Sequence, residues 1–244
     1  MIKSEDKYEI KKNLGAVAFL DVLGWKGLWQ ENPAAIESLH SLILKTREKS
    51  EEITLEYSDV KELRGKSNIT TVLSISDTIA VFTSASPSIA LDIQSKICSW
   101  LLEYALSQSI PLRGAISYGE YSIKDNIMLG YAVDEAASWH ETTDWIGVVI
   151  TPSAKFQANV DSLEKVTSYQ KIPFKRTIKN LDLCVDWMFN NREELLDIIN
   201  RKGPHIPEIA PKYLNTLAFL NINKREQTAI KMGINVDICF NQIN

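Results

Sequence analysis

The chain has 244 residues, of which 45% are hydrophobic and 24% charged, and its formal net charge is -4. This composition is that of a globular protein and excludes collagen-like, mucin-like and largely disordered chains. Proteins that bind duplex nucleic acid normally carry a basic excess, because contacts to phosphates supply most of their affinity, so we predict no nucleic-acid partner. The length suits one large domain with an appendage, although two domains are possible.

The start of the chain predicts no export or membrane segment. Residues 1–12 are largely charged and lack the apolar stretch of a secretory signal. The longest apolar run, from Leu14 to Trp25, is broken by Asp21 and is shorter than the ~18 residues that span a bilayer. We therefore expect a cytoplasmic protein with no direct membrane insertion.

The first half of the chain predicts strands that alternate with helices. An apolar run after Gly15 predicts a strand that is buried on both faces and ends at Asp21. An amphipathic helix should then extend to about Lys49. Its apolar residues at helical spacing are Ile36, Leu39, Leu42 and Ile43. Residues 51–67 predict a loop or a short strand, and the β-branched run 69–83 predicts two adjacent strands.

The second half continues this pattern as far as residue 189. Ser86 and Pro87 predict the start of a helix that extends to about residue 107. The elements that follow are a strand over 111–123, a helix over 131–141, a strand over 145–151, a helix from 152, and a closing pair of antiparallel strands over 165–174 and 181–189.

These patterns divide the chain into three parts. They are an N-terminal extension (1–13), a main domain (14–189) and a C-terminal helical appendage (190–244). Within the appendage we predict helices over 192–202, 212–221 and 224–232. Two roles remain open for it, since such a segment could mediate dimerisation or cap the sheet.

The cysteines and histidines do not have the spacing of a metal site. The three cysteines are Cys98, Cys184 and Cys239. Their odd number, wide spacing and apolar surroundings predict buried free thiols. Of the three histidines, His140 is expected on the surface of a helix, with contact to a substrate as the alternative.

Two aspartates lie where strands are predicted to end. Asp21 closes the first strand, and Asp77 lies with Ser76 in a tight turn between the next two strands. Each alone is typical of a turn or capping residue, yet a carboxylate inside an apolar run needs a cation, a metal or backbone amides. Two carboxylates that converge from neighbouring strand ends can bind one or two Mg²⁺ ions and serve a phosphoryl displacement.

A small turn follows Asp21 and leads into the N-terminus of a helix. Such a turn supplies backbone amides for a triphosphate, and its lysine adds a positive charge. Its residues are Gly24, Trp25, Lys26 and Gly27.

Four segments in order carry a resemblance to a known family. They are FLDVLGW at 19–25, SDTIAVF at 76–82, RGAISYG at 113–119 and GYAVDEAAS at 130–138. In order and spacing they resemble the signatures of class III nucleotidyl cyclase catalytic domains, the adenylate and guanylate cyclases, over about residues 14–187. The resemblance implies an α+β fold: a ferredoxin-type βααββαβ core with a mostly antiparallel sheet and helices on one face, plus the C-terminal helical tail.

The resemblance also implies the roles of particular residues. Asp21 and Asp77 would hold two Mg²⁺ or Mn²⁺ ions, with the backbone carbonyl of Val22 as a further ligand. Arg113 matches a family arginine that contacts the triphosphate, for which an always-charged guanidinium fork is suited; the alternative is a surface arginine of a strand. Lys175 lies near the place where the family has a phosphate-binding lysine.

Departures from the family pattern occur in the fourth segment. Asp134 and Ser138 stand where purine cyclases have an asparagine that orients the ribose and an arginine that stabilises the transition state. Either another cation neutralises charge at the α-phosphate, or the domain is catalytically weak. The candidate cations are Lys175, Lys171 and Arg176.

The positions that read the base are apolar. Leu73 and Ile127 stand where purine cyclases carry polar residues that distinguish adenine from guanine. Apolar side chains cannot make those polar contacts, so purine selectivity of the usual kind is not expected. These substitutions, together with an architecture of one cyclase-like domain and a small helical tail, resemble the pyrimidine cyclases of bacterial Pycsar antiphage defence. Those enzymes make cyclic CMP or cyclic UMP.

The resemblance implies a substrate, a partner and a role. The substrate would be UTP or CTP, cyclised with loss of pyrophosphate in a head-to-tail homodimer that has two shared active sites. The product would act on a cyclic-nucleotide-responsive effector. Three alternatives remain: a catalytically inactive nucleotide-binding dimer, a cyclase of purine specificity, and a different two-metal nucleotidyltransferase on a related sheet.

Overall fold

The structure is a computed structural model that describes residues 12–24, 34–66, 68–125, 127–157, 159, 162–189, 192–201, 207 and 210–231. Eight strands and six helices lie in these ranges. In chain order they are β1 (Asn13–Val22), α1 (Ala35–Leu55), β2 (Thr70–Ile75), β3 (Thr78–Thr83), α2 (Pro87–Ser107), β4 (Leu112–Lys124), β5 (Ile127–Leu129), α3 (Tyr131–Trp139), β6 (Gly147–Ile150), α4 (Pro152–Gln157), β7 (Val166–Ser168), β8 (Leu183–Val185), α5 (Arg192–Arg201) and α6 (Ala210–Lys231).

The strands form one sheet with the order β2-β3-β1-β4-β6-β8-β7, and β5 pairs with the far end of β4. Every neighbouring pair is antiparallel except β4 and β6, which are parallel. The prediction of an α+β fold with a mostly antiparallel sheet is therefore confirmed.

Both faces of the sheet are covered where β1 crosses its middle. Side chains of a strand alternate between faces, and those of Ala16, Ala18 and Leu20 join the core formed with α1 and α2. Val17 and Phe19 point to the other face and pack with α3. The expectation of helices on one face therefore needs a correction, because the small residues of α3 let it lie on the face opposite to α1 and α2.

Two helices differ in length from their predictions. Helix α1 continues past Lys49 to Leu55, because its buried side continues through Ser50 and Ile53. Ile36, predicted on that side, is 63% exposed in the first turn. The two helices predicted at the C-terminus are one continuous helix, α6, since no glycine or proline separates them.

The C-terminal helices pack on the core of the sheet domain. Phe219 of α6 is fully buried, and its ring lies edge-on to Trp145, with the ring centroids 4.9 Å apart. Trp187 and Tyr169 contribute to the same aromatic cluster. In the part of the chain that is described, no helix has the length and apolarity needed to cross a bilayer.

Replacing Gly114 by alanine is expected to destabilise the sheet. A Cβ at this position of β4 would lie 2.4 Å from the carbonyl oxygen of Phe19 on β1. Because that neighbour is backbone, the strands must separate, and we expect the free energy of unfolding in urea to fall by about 1–3 kcal/mol. The matched control is Gly119→Ala on the same strand, where the nearest atom is 3.7 Å away and no loss is expected. Equal losses in both variants would contradict this account.

Two of the three cysteines are expected to be unreactive towards alkylating reagents in the folded protein. Cys98 and Cys184 are free and fully buried, and burial raises the pKa of both thiols. We expect iodoacetamide at pH 8 to leave both unmodified until the chain is unfolded, as measured by peptide mass mapping. Labelling of either one in the native protein would disprove the packing described here. Cys239 lies outside the described residues.

Candidate active site

An ion pair between Asp21 and Arg113 lies at the end of β1. The antiparallel register places Asp21 directly opposite Arg113 of β4. The guanidinium donates from Nη2 and Nε to Oδ2 of Asp21, at 3.0 and 3.2 Å. Only 15% of the Asp21 side chain and 10% of the Arg113 side chain are exposed. Removing either partner of an ion pair this deeply buried lowers the free energy of unfolding, because the other charge stays buried without a partner.

Asp77 joins this end of the sheet through the tight turn between β2 and β3. Ser76 adopts a left-handed backbone conformation, with φ of 55°, and the predicted turn at these residues is confirmed. The N–H of Val22 donates to the carbonyl oxygen of Asp77 at 3.3 Å. The turn is therefore attached to the end of β1, one residue after Asp21.

The charge of Asp77 is one of the influences on the pKa of Asp21. Burial is the largest influence and raises the pKa of Asp21, the bond from Arg113 lowers it, and the charge of Asp77 raises it again. The net result is a raised pKa. A half-buried pair of carboxylates gains from positive charge between them, and oxygen ligands of this kind suit Mg²⁺ or Mn²⁺.

Within the described residues, no cluster of three or more His, Cys, Asp or Glu side chains could hold a metal ion. A cation at Asp21 and Asp77 would therefore need backbone oxygens, water or substrate oxygens to complete its coordination. This agrees with the usual coordination of Mg²⁺, which retains waters and phosphate oxygens beside one or two carboxylates. The residues present fit such an ion.

Arg113 is also bonded to the loop between α3 and β6. Its Nη1 donates to the carbonyl oxygens of Glu141 and Thr143 over 3.4 and 3.5 Å. The same loop holds Lys175, whose N–H donates to the carbonyl oxygen of Thr142 at 2.9 Å. The pKa of Lys175 is lowered, first by burial and then by the charge of Arg113. The structure thus places Lys175 near enough to Arg113 for the two charges to interact.

His140 belongs to the site, although its sequence context indicated a helix surface. It follows the last residue of α3, and its Nδ1–H donates to the carbonyl oxygen of Ala137 at 2.6 Å. Its ring centroid lies 6.2 Å from that of Phe19, and its charge lowers the pKa of Asp21. Phe19 is distant in sequence, so no local signal could have revealed this contact.

The phosphate turn predicted after β1 is described only at its start. Gly24 has a φ of 76°, in the left-handed region that favours glycine, and no atom lies within 4 Å of where its Cβ would be. The N–H of Leu23 donates to the carbonyl oxygen of Pro111 at 2.9 Å. Trp25 and Lys26 lie outside the described residues.

The predicted base-reading and ribose residues lie apart from one another. Leu73 of β2 is partly buried and packs with the cluster of Phe19. Ile127 of β5 is 63% exposed. Asp134 and Ser138 are one turn apart on the exposed side of α3, where the Ser138 hydroxyl donates to the carbonyl oxygen of Asp134 at 2.6 Å. Their side of α3 faces away from the sheet, so it is open to a second molecule.

Comparison with known proteins finds similarity in structure only. No protein-family model matches the chain, and no curated protein matches it. The catalytic core of a rhodopsin-guanylyl cyclase with converted specificity, in complex with ATPαS, superposes with a TM-score of 0.51 at 13% identity, covering 73% of this chain and 98% of that one. At that identity the likeness shows the fold: the chain has the fold of a class III cyclase catalytic domain.

Two further structures are more distant. An adenylate cyclase from Trypanosoma brucei in its monomeric state has a TM-score of 0.44 at 12% identity, covering 70% of this chain and 87% of that one. An adenylate/guanylate cyclase/hydrolase from Silicibacter pomeroyi has a TM-score of 0.42 at 15% identity, covering 72% and 98%.

Proposed function

We propose that the protein is a pyrimidine nucleotide cyclase that converts UTP or CTP to the 3′,5′-cyclic nucleotide and pyrophosphate. The observation that carries this proposal is the meeting of Asp21, Asp77 and Arg113 at one end of a sheet with the fold of a cyclase catalytic domain. That arrangement combines two carboxylates for divalent cations with a guanidinium for the triphosphate.

The cofactors of this reaction would be two Mg²⁺ or Mn²⁺ ions per site. Asp21 and Asp77 would hold them, with the backbone carbonyl of Val22 as a further ligand. When bound, such ions favour ionisation of the attacking hydroxyl and neutralise charge on the leaving pyrophosphate.

Cyclisation forms one bond and breaks one bond at the α-phosphorus. The ribose 3′-oxygen forms a bond to phosphorus, the bond to the bridging α–β oxygen breaks so that pyrophosphate leaves, and the hydroxyl proton passes to solvent water. Arg113, which is paired with Asp21, would bind and orient the triphosphate together with Lys175, whose charge interacts with that of Arg113. The backbone at Gly24, with Trp25 and Lys26, would contribute further contacts to phosphate.

The choice of a pyrimidine base rests on two apolar positions. Leu73 and Ile127 offer no hydrogen bonds to a purine edge, and Leu73 lies with Phe19 on the sheet face of Asp21. A site that makes no polar contacts at these positions cannot select adenine or guanine in the way purine cyclases do.

The complete site would be shared by two copies of the chain. Asp134 and Ser138 lie on the exposed side of α3, and a head-to-tail homodimer would bring them to the Asp21 and Asp77 of the partner. As a second messenger, the cyclic product would serve antiphage defence by acting on a cyclic-nucleotide-responsive effector.

Mixing two inactive variants tests the shared site. Asp77→Asn removes a metal ligand, and Asp134→Trp places a bulky ring on the exposed side of α3, where it would block the partner's site. A one-to-one mixture makes half of the dimers heterodimers, each with one intact site, so about a quarter of wild-type activity should return. If each chain formed its own site, no activity would return on mixing.

One observation favours a second candidate, an inactive nucleotide-binding dimer. The Ser138 hydroxyl is bonded to its own helix, and neither it nor Asp134 can supply the positive charge of the family arginine. Such a protein would bind nucleotide without releasing pyrophosphate.

Incubation with each of the four ribonucleoside triphosphates, with Mn²⁺ or Mg²⁺, tests the proposed function. Products are resolved by mass. Cyclic UMP or cyclic CMP is the expected result. Cyclic AMP or cyclic GMP alone would refute the pyrimidine specificity, while binding without turnover would favour the inactive dimer.

A further inference from the structure

The C-terminal helix α6 makes polar contacts with the loop that joins α3 to β6. This loop, residues 140–146, is called the α3–β6 loop below. Thr216 of α6 is fully buried. Its hydroxyl accepts a hydrogen bond from the N–H of Ile146 at 2.9 Å and donates to the carbonyl oxygen of Lys212 at 2.6 Å. Asn215 donates from Nδ2 to the carbonyl oxygen of Asp144 at 2.9 Å.

The same loop is bonded to Arg113 and to Lys175, the cation whose charge interacts with that of Arg113. Arg113 donates to two of its carbonyl oxygens, and the backbone N–H of Lys175 donates to a third. The N–H of Asp144 donates to the carbonyl oxygen of Pro173 at 2.7 Å, which ties the segment of Lys175 to the loop a second time. The positions of Arg113 and Lys175 therefore depend on the position of the loop.

Helix α6 packs on the sheet domain through aromatic contacts and an ion pair. The ring of Phe219 lies edge-on to the rings of Trp145 and Tyr169, which stack on each other, with centroid distances of 4.9 and 5.1 Å. The ammonium of Lys212 lies 3.2 Å from the Asp144 carboxylate. Apolar packing and an ion pair thus fix the helix on which the loop rests.

We propose that α6 positions the triphosphate-binding cations, with Thr216 and Asn215 as positioning residues that act on Arg113 and Lys175 through the α3–β6 loop. This inference rests on the proposed function for the role of the two cations. It gives the C-terminal helix a part in substrate binding, in addition to covering the end of the sheet.

The test compares Thr216→Val with two matched variants of the full chain. Valine keeps the shape of threonine and removes the hydroxyl, so the N–H of Ile146 loses its partner. Thr216→Ser restores the hydroxyl. The control Thr46→Val removes an equally buried hydroxyl that donates to the carbonyl oxygen of Leu42 at 2.7 Å, on α1 and without a contact to the loop. Asn215→Ala provides a second loop variant if Thr216→Val folds poorly.

Two measurements are made on each variant: hydrogen–deuterium exchange of residues 140–146, and calorimetric binding of inorganic tripolyphosphate with Mg²⁺. We expect Thr216→Val to speed exchange in the loop and to weaken tripolyphosphate binding about five-fold or more. Thr216→Ser and Thr46→Val should bind within about two-fold of the wild type.

Unchanged loop exchange in Thr216→Val would overturn the positioning role, whatever the protein binds. Equal weakening of binding in Thr46→Val would overturn it as well, since the effect would then be one of general stability. Absence of tripolyphosphate binding in the wild type would instead contradict the proposed function, and the exchange of the loop would still decide the positioning role.

Discussion

Replacing Asp77 by asparagine is expected to abolish cyclisation, by about 10³-fold or more, while the fold is kept. The change removes one of two carboxylates proposed to hold the metal ions, and metal-ion catalysis contributes several kcal/mol to such displacements. Among the described residues no ion pair involves Asp77, unlike Asp21, so its charge can be removed without leaving a described partner unpaired. The measurement is the rate of cyclic UMP or cyclic CMP formation, together with the thermal unfolding midpoint.

The matched control for this prediction is Asp59→Asn. Asp59 is exposed in the loop after α1, and its loss should leave the rate of cyclisation unchanged. A variant Asp77→Asn that cyclises at the wild-type rate would contradict the assignment of the metal site.

Replacing Arg113 by methionine should both destabilise the protein and remove activity. Asp21 would remain buried without its partner, and breaking a buried ion pair costs about 3 kcal/mol or more in the free energy of unfolding. The triphosphate would lose a guanidinium contact, so catalysis should fall as well. Urea unfolding and the rate of product formation measure the two effects separately.

A double variant separates the structural role of Arg113 from its catalytic role. In Asp21→Asn/Arg113→Met neither charge remains, so most of the lost stability should return while cyclisation stays absent. Arg113→Lys should keep part of the stability but lose the forked geometry of the guanidinium. If the double variant were no more stable than Arg113→Met, the buried pair would not be the source of the loss.

Local signals in the sequence were sufficient to predict the strand and the turn that contain the two aspartates of the site. The apolar run that ends at Asp21 and the turn at Ser76 and Asp77 produce their structure from neighbouring residues alone. The four cyclase-like segments, which contain these residues, predicted the mostly antiparallel sheet. Strand and turn signals act over a few residues, which is why they can be found without a structure.

Those local signals could not predict contacts between residues that are far apart in the sequence. The direct pairing of Asp21 with Arg113 is a matter of strand register, and the position of His140 over Phe19 depends on how α3 lies on the sheet. The contact between Thr216 and Ile146 depends on the docking of α6. In each case the direct contact is set by tertiary packing, and no signal between neighbouring residues in the sequence determines it.

The most direct test of the two-carboxylate metal site is a crystal grown with Mn²⁺ and α,β-methylene UTP, a substrate analogue that cannot lose pyrophosphate. Anomalous scattering at the manganese edge locates the ions. We expect two manganese peaks, with oxygens of Asp21 and Asp77 within about 2.5 Å of them, and the Arg113 guanidinium on the triphosphate. Manganese bound elsewhere, or analogue bound with Arg113 still paired to Asp21 and no metal at Asp77, would contradict the two-carboxylate metal site.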